Sequence, residues 1–153
     1  MNLTQRAYCD RILRVDLTSG DIQVTSLPAD MMPQLLGGKG LGAWLLYTEQ
    51  PAGVEPLSPD NHLIFHNGPL TGTTAPTAGR FGVTTRSPAT GTYFDANCGG
   101  DWRQMLKYAG YDALVVTGAS DTPVMIVIDE DYVDIRPVDD LWGTTISEAT
   151  ELI

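Results

Sequence analysis

Cysteine is scarce in this chain: its 153 residues hold two, Cys9 and Cys98. Two thiols cannot build a disulfide scaffold, and they cannot supply the four thiolates of an ordinary iron–sulfur cluster. Positive charge is scarce too. Nine Lys and Arg stand against nineteen Asp and Glu, a net charge of −10, which excludes a general nucleic-acid or anionic-membrane binder. No uncharged apolar run reaches the roughly 18 residues of a spanning helix. The N-terminal MNLTQRAYCDRILRVDL has no apolar core and no small-residue cleavage site, so no secretory signal is expected and the cytosol is the expected compartment. Familiar chemical motifs are missing as well. There is no P-loop, no dinucleotide fingerprint, no Ser/His/Asp nucleophile motif, no obvious carboxylate pair for glycosidic chemistry and no calcium loop around Asp129-Glu130-Asp131.

What is present describes a globular protein, with 42% hydrophobic and 18% charged residues. Its length is one domain's worth, 1–153. Ile22–Leu27 and Arg11–Leu17 alternate around the TSGD turn signal and read as a β-hairpin. Asp30 is placed to cap a short helix to about Leu36, and GGKG at 37–40 breaks the chain before a helix over Leu41–Glu49. His62–His66 and Arg80–Thr85 read as strands. Asp101–Tyr108 reads as a helix stopped by Gly110, and Ala113–Thr117, Val124–Ile128 and Tyr132–Arg136 as three more strands. Thr145 and Glu148 have capping-box spacing and start a final helix. So short a helix needs something to dock on, which predicts that the sequence is the first domain of a longer protein or packs on a separate subunit.

The candidate chemistry lies in the Gly/Thr-rich segment NGPLTGTTAPTAGRFGVTTRSPATGTYFDANCGG. From Arg80 to Lys107 there are four basic and two acidic residues, whereas the remainder carries five basic and seventeen acidic. A basic island in an acidic protein suits a local anionic ligand, although chance clustering gives the same count. Arg80 can grip phosphate bidentately, and Asn97, Gly99 and Gly100 allow close backbone approach. Tight hairpin turns are the alternative reading of those glycines. Lys39 in GGKG is a lesser phosphate candidate beside a plain helix–helix turn. His62 and His66 are i, i+4, which suits a metal on a helix, but a strand separates them by about 13 Å, so an ordinary histidine pair is expected. Cys98 has no sequence partner, and Cys9 reads as a plain packed or surface residue. Trp44, Trp102 and Trp142 read as packing residues.

The stretches RILRVDLTSGDI, LLGGKGLGAWLLY, PLSPDNHLIF, GPLTGTTAPTAGRFGVTTRSP, NCGG, LKYAGYDALVVTG and LWGTT…SEATELI run in order from about residue 10 to the end. Together they resemble the N-terminal domain of the aldehyde ferredoxin oxidoreductase family, the tungsten-pterin enzymes. The resemblance implies an α+β fold of two mostly antiparallel β-sheets with a few short helices, seating the cofactor. It implies a tungsten (or molybdenum) bis-molybdopterin with a magnesium ion bridging its phosphates. Arg80 is implied to contact pterin, Asn97 to ligate the magnesium through its backbone carbonyl, and Gly99, Gly100 and Lys39 to line the site, with no catalytic residue in this chain. The whole enzyme would oxidise an aldehyde to a carboxylate and pass electrons through a [4Fe–4S] cluster to ferredoxin. The cluster cysteines belong to later helical domains, so this chain alone is expected to be inactive. Its expected partners are the remaining domains or subunit and ferredoxin, with no nucleic acid and no membrane, and self-association is left open. A non-catalytic cofactor carrier or interaction module of the same fold is the alternative. The sequence departs from the family pattern at Cys98 (serine in the family), at Lys39 (GGRG in the family) and at Asp101-Trp102-Arg103-Gln104.

Overall fold

The computed structural model describes residues 7–29, 31 and 34–153. They fall into two compact units, Met1–Ala119 and Ser120–Ile153.

The first unit is built on a six-stranded sheet. Its strands are β1 (Ile12–Asp16), β2 (Ile22–Thr25), β3 (Leu63–Asn67), β4 (Phe81–Arg86), β5 (Tyr93–Cys98) and β6 (Ala113–Thr117), arranged β2-β1-β6-β3-β4-β5. β1 and β6 run parallel, and every other pairing is antiparallel. The central strands are the most apolar: Ala113–Val116 are all buried, as expected of a strand covered on both faces. Two helices do the covering, α1 (Lys39–Glu49) and α2 (Trp102–Tyr108).

Register decides which residues meet α1. Paired residues share a face, so Thr25, Ile12, Ala113, His66, Gly82 and Asn97 form one row across the whole sheet. Gln23, Arg14, Val115, Ile64, Thr84 and Asp95 form the next. Both rows pass from an apolar centre to a polar β4–β5 end. Leu41 and Leu45 of α1 cover the apolar part, packing with Ile12, Ile64, Ala113 and Val115. Each such leucine contributes about 1.5–3 kcal/mol by leaving water. Arg14 fastens the same helix through paired bonds to Glu49 at 2.7 and 2.8 Å. On the opposite face Trp102 packs on Phe65 and Phe81, at 5.3 and 4.6 Å between ring centroids.

The second unit holds the hairpin β7 (Val124–Asp129) and β8 (Tyr132–Pro137), then α3 (Ile146–Leu152). Glu130 turns the hairpin at φ 52°. The predicted capping box is formed: Thr145 N–H donates to Glu148 Oε2 at 2.8 Å, and Glu148 N–H to Thr145 Oγ1 at 3.4 Å. No residue of α3 is buried.

The α+β architecture with two sheets agrees with expectation, and so does the first hairpin. Three local readings change. α1 starts at Lys39, so GGKG does not separate two helices: Gly38 is its N-cap, while Lys39 and Gly40 lie inside it. Among the described residues 31 and 34–38 there is only a turn, with Leu35 N–H bonded to the Met31 carbonyl at 3.0 Å. The expected cap Asp30 lies outside the described residues. Finally, Tyr93–Cys98 is a strand, so Asn97 and Cys98 end an edge strand and do not begin a turn.

Candidate functional site

At the polar end of the two rows the N-terminus of α1 stands above β4 and β5, and a cavity of about 360 Å³ opens there. Lys39, Arg80 and Asn97 all line it, together with Gly38, Gly68, Gly82 and His66. Three of the five residues singled out in the sequence therefore share one concavity. Gly99 and Gly100 follow directly after β5 and are not among the lining residues.

Each placement has a local cause. Gly37 and Gly38 take positive φ, 96° and 54°, a region costly for residues with a Cβ. This turn lets the Gly38 N–H reach the Asn67 carbonyl at 3.0 Å, which pins the start of α1 to the end of β3. Lys39 follows as the first helical residue. Arg80 is exposed just before β4, on the cavity side by alternation with Gly82. No hydrogen bond or ion pair engages its guanidinium among the described residues.

Beneath the cavity lies a polar cluster absent from the sequence-based site. His66 is 1% exposed. Its Nε2 is 3.0 Å from Thr84 Oγ1 and 3.7 Å from Asp95 Oδ1. Asp95 Oδ2 in turn holds Lys39 Nζ at 3.2 Å. The ring fits because two neighbours lack side chains. A Cβ on Gly42 would lie 2.5 Å from His66 Cδ2 and from Thr84 Oγ1, and one on Gly82 would lie 2.1 Å from His66 Cε1. Burial pushes the imidazole down to about 4, against the opposing pull of Asp95, so the ring is neutral at pH 7. Thr84 and Asp95 face the same ring nitrogen. The trio therefore lacks the relay of a hydrolytic triad, in which the carboxylate orients the base through the other nitrogen. Among the described residues His66 Nδ1 and Asp95 Oδ1 are buried without a hydrogen-bond partner, and buried polar groups of this kind call for a structural or functional explanation.

His62 does not join His66 in the cavity lining: it precedes β3, and its backbone N–H donates to Gln50 Oε1 at 2.9 Å. Cys98 pairs with Phe81, so alternation puts it on the sheet face away from the cavity, as an exposed free thiol. Cys9 donates its thiol to the Lys107 carbonyl at 3.6 Å. Among the described residues no group of three or more His, Cys, Asp or Glu is placed to hold a metal ion. The signal that could have found His66 is the pair of glycines at 42 and 82, but it becomes readable only once the register is known.

The donor set fits an anionic, backbone-approached guest: a guanidinium with no partner among the described residues, an ammonium at a helix start and glycine walls, with the Asp95 carboxylate below them as the opposing charge. Comparison with known proteins bears on its identity. Residues 12–153 match the family described as "Aldehyde ferredoxin oxidoreductase, N-terminal domain". The chain is 46% identical over 143 residues to the tungsten-containing aldehyde ferredoxin oxidoreductase of Pyrococcus furiosus, covering 94% of this chain and 24% of that protein. It is 31% identical over 140 residues to the WOR-like subunit of an aliphatic sulfonate oxidoreductase from the same organism, covering 90% and 22%. Among solved structures, the active-site complex BamBC of benzoyl coenzyme A reductase with 1,5-dienoyl-CoA superimposes with a TM-score of 0.92 at 39% identity, covering 95% of this chain and 22% of that one. The chain thus spans about a quarter of the length of these relatives. It belongs to the aldehyde ferredoxin oxidoreductase family and corresponds to that family's N-terminal domain.

Proposed function

We propose that this chain seats a tungsten (or molybdenum) bis-pterin cofactor, and that the cavity at the start of α1 receives its phosphate-bearing end. The observation that carries the reading is the convergence of Arg80, Lys39 and Asn97 on one glycine-walled cavity. Arg80, whose guanidinium has no partner among the described residues, would take a phosphate by a bidentate fork. Lys39 would add a second positive charge, steadied from below by Asp95. Asn97 sits beside Gly82 across the β4–β5 ladder, where its backbone carbonyl would help hold a magnesium ion accompanying the phosphates. Gly99 and Gly100, just past it, would permit close approach: a Cβ at either would meet nothing within 4 Å. The bound group supplies the two-electron chemistry, and the chain's residues bind, orient and neutralise it.

In the complete enzyme the reading extends to oxidation of an aldehyde to a carboxylate in the cytoplasm, with electrons leaving through a [4Fe–4S] cluster in other domains to ferredoxin. The relatives named for sulfonate and benzoyl-CoA chemistry make the cofactor seat a firmer part of this reading than the aldehyde. This chain alone would be inactive. The test is elemental analysis after coexpression with the remaining domains that the relatives carry. Tungsten or molybdenum near one per chain in the wild type, lost in Arg80→Ala, is the expected result. No metal and no pterin fluorescence in either protein would instead support a non-catalytic interaction module.

A further inference from the structure

Behind the cavity, on the other face of the sheet, a second arginine touches the segments next to two of its lining residues, Arg80 and Asn97. Arg103 lies in the first turn of α2. Its Nη1–H donates to the Gly100 carbonyl. A Cβ on Gly79 would lie 3.3 Å from its Cζ, Nε and Nη2, so the guanidinium fills the place where a side chain at position 79 would sit. Gly79 has no positive φ, so what it supplies is room and not an unusual backbone conformation.

These contacts have a common geometric meaning. Phe81 pairs with Cys98 at the end of the β4–β5 ladder. Gly79–Arg80 enters β4 there, and Gly99–Gly100 leaves β5. No ladder bond beyond that pair ties the two segments together; Arg103 bridges them instead. Its own helix is held firmly: Trp102 packs on Phe81 and Phe65, and Asn67 Nδ2 donates to the Arg103 carbonyl at 2.9 Å. By alternation Gly79 faces α2 and Arg80 faces the cavity. Arg103 therefore buttresses the peptide that carries Arg80 without entering the cavity itself.

We propose that Arg103 is a positioning residue of the site, clamping the Gly79–Arg80 and Gly99–Gly100 segments from behind so that the Arg80 guanidinium is held ready for its anion. The proposal rests on reading the cavity as an anion seat. An arginine on a loose segment must be ordered when it binds, and the clamp removes that cost beforehand. Lysine is a poor substitute, because a flat guanidinium both covers Gly79 and bonds Gly100, whereas an ammonium is a point charge.

Two measurements on the full chain test this. NMR order parameters at the Arg80 and Gly100 amides should fall from about 0.85 to below about 0.6 in Arg103→Ala, with β1 and β6 unchanged. Gly79→Ala, whose methyl would press on the guanidinium at 3.3 Å, should move them the same way by less. Calorimetry with inorganic pyrophosphate should show about tenfold weaker binding in Arg103→Ala and in Arg103→Lys, but less than about a twofold further loss when Arg103→Ala is added to Arg80→Ala. Unchanged order parameters in both position-103 and position-79 variants would overturn the clamp. An equal loss in the Arg80→Ala background would also overturn it, since Arg103 would then act on the anion itself. Absence of pyrophosphate binding by the wild type, with the order parameters still falling, supports the clamp and overturns the anion-seat reading alone.

Discussion

His66 shows how single residues shape the cavity floor. Its ring occupies space that Gly42 and Gly82 leave open, so each of those glycines is required by what lies beside it. Gly82→Ala and Gly42→Ala should each lower stability by about 1–3 kcal/mol through overpacking, as read by the urea midpoint. Gly99→Ala, with open space around the new methyl, should leave that midpoint unchanged. The imidazole also predicts a pH dependence. Its folded value, about 4, lies below the 6.5 of the unfolded chain, so the unfolded state binds the extra proton. Its contribution is then complete above pH 6.5 and is lost progressively as pH falls towards 4, with about 3 kcal/mol as the ceiling. Stability measured from pH 7 to 4 should fall more steeply in the wild type than in His66→Gln; equal slopes would contradict the assignment. That Arg80, Lys39 and Asn97 share one cavity was legible in the sequence through residue type and glycine context. His66 was not, because its role comes from which strands lie beside it, and i, i+4 spacing along one strand carries no such information.

Among the elements, those with strong apolar patterns were the readable ones. β1, β6, β7 and β8 announce themselves through branched residues between turn signals. β5 does not, because its short alternation of Phe94, Ala96 and Cys98 with Asp95 and Asn97 holds no branched residue and lies inside a Gly/Thr-rich stretch that reads as turns. The start of α1 differs from the sequence reading at GGKG: Gly40 reads as a helix breaker, yet it lies inside the helix, close against Leu35. α2 is short, and its hold on the sheet depends on Trp102. Trp102→Ala should cost about 2–3 kcal/mol, less than a fully buried tryptophan because 37% of it is exposed, and should also weaken pyrophosphate binding, since Arg103 rides on the same helix. Loss of stability with unaltered binding would separate α2 from the site. In the second unit Thr145→Ala removes the hydroxyl half of the capping box and leaves the backbone N–H bond to Glu148 Oε2 in place. It should cost about 1 kcal/mol of α3 stability, seen as faster amide exchange across 146–152 with β7 and β8 unaffected.

Over the whole molecule, charge is spent unevenly. A chain with net charge −10 leaves an uncompensated arginine at the rim of one cavity and props a lysine over it. Local potential there must oppose the field of the protein as a whole, which favours an anionic guest held at close quarters over long-range steering. The chain spans about a quarter of its relatives, and those relatives carry names for aldehyde, sulfonate and benzoyl-CoA chemistry. On the reading proposed above, this domain would hold the cofactor and other domains would choose what reaches it. The decisive measurement is a crystal structure of the protein purified with its remaining domains, with anomalous scattering recorded at the tungsten and molybdenum edges. The account predicts a metal-bearing group whose phosphates lie within hydrogen-bond distance of the Arg80 guanidinium, between Lys39 and Asn97. A group seated elsewhere, with Arg80 turned to bulk water, would contradict it.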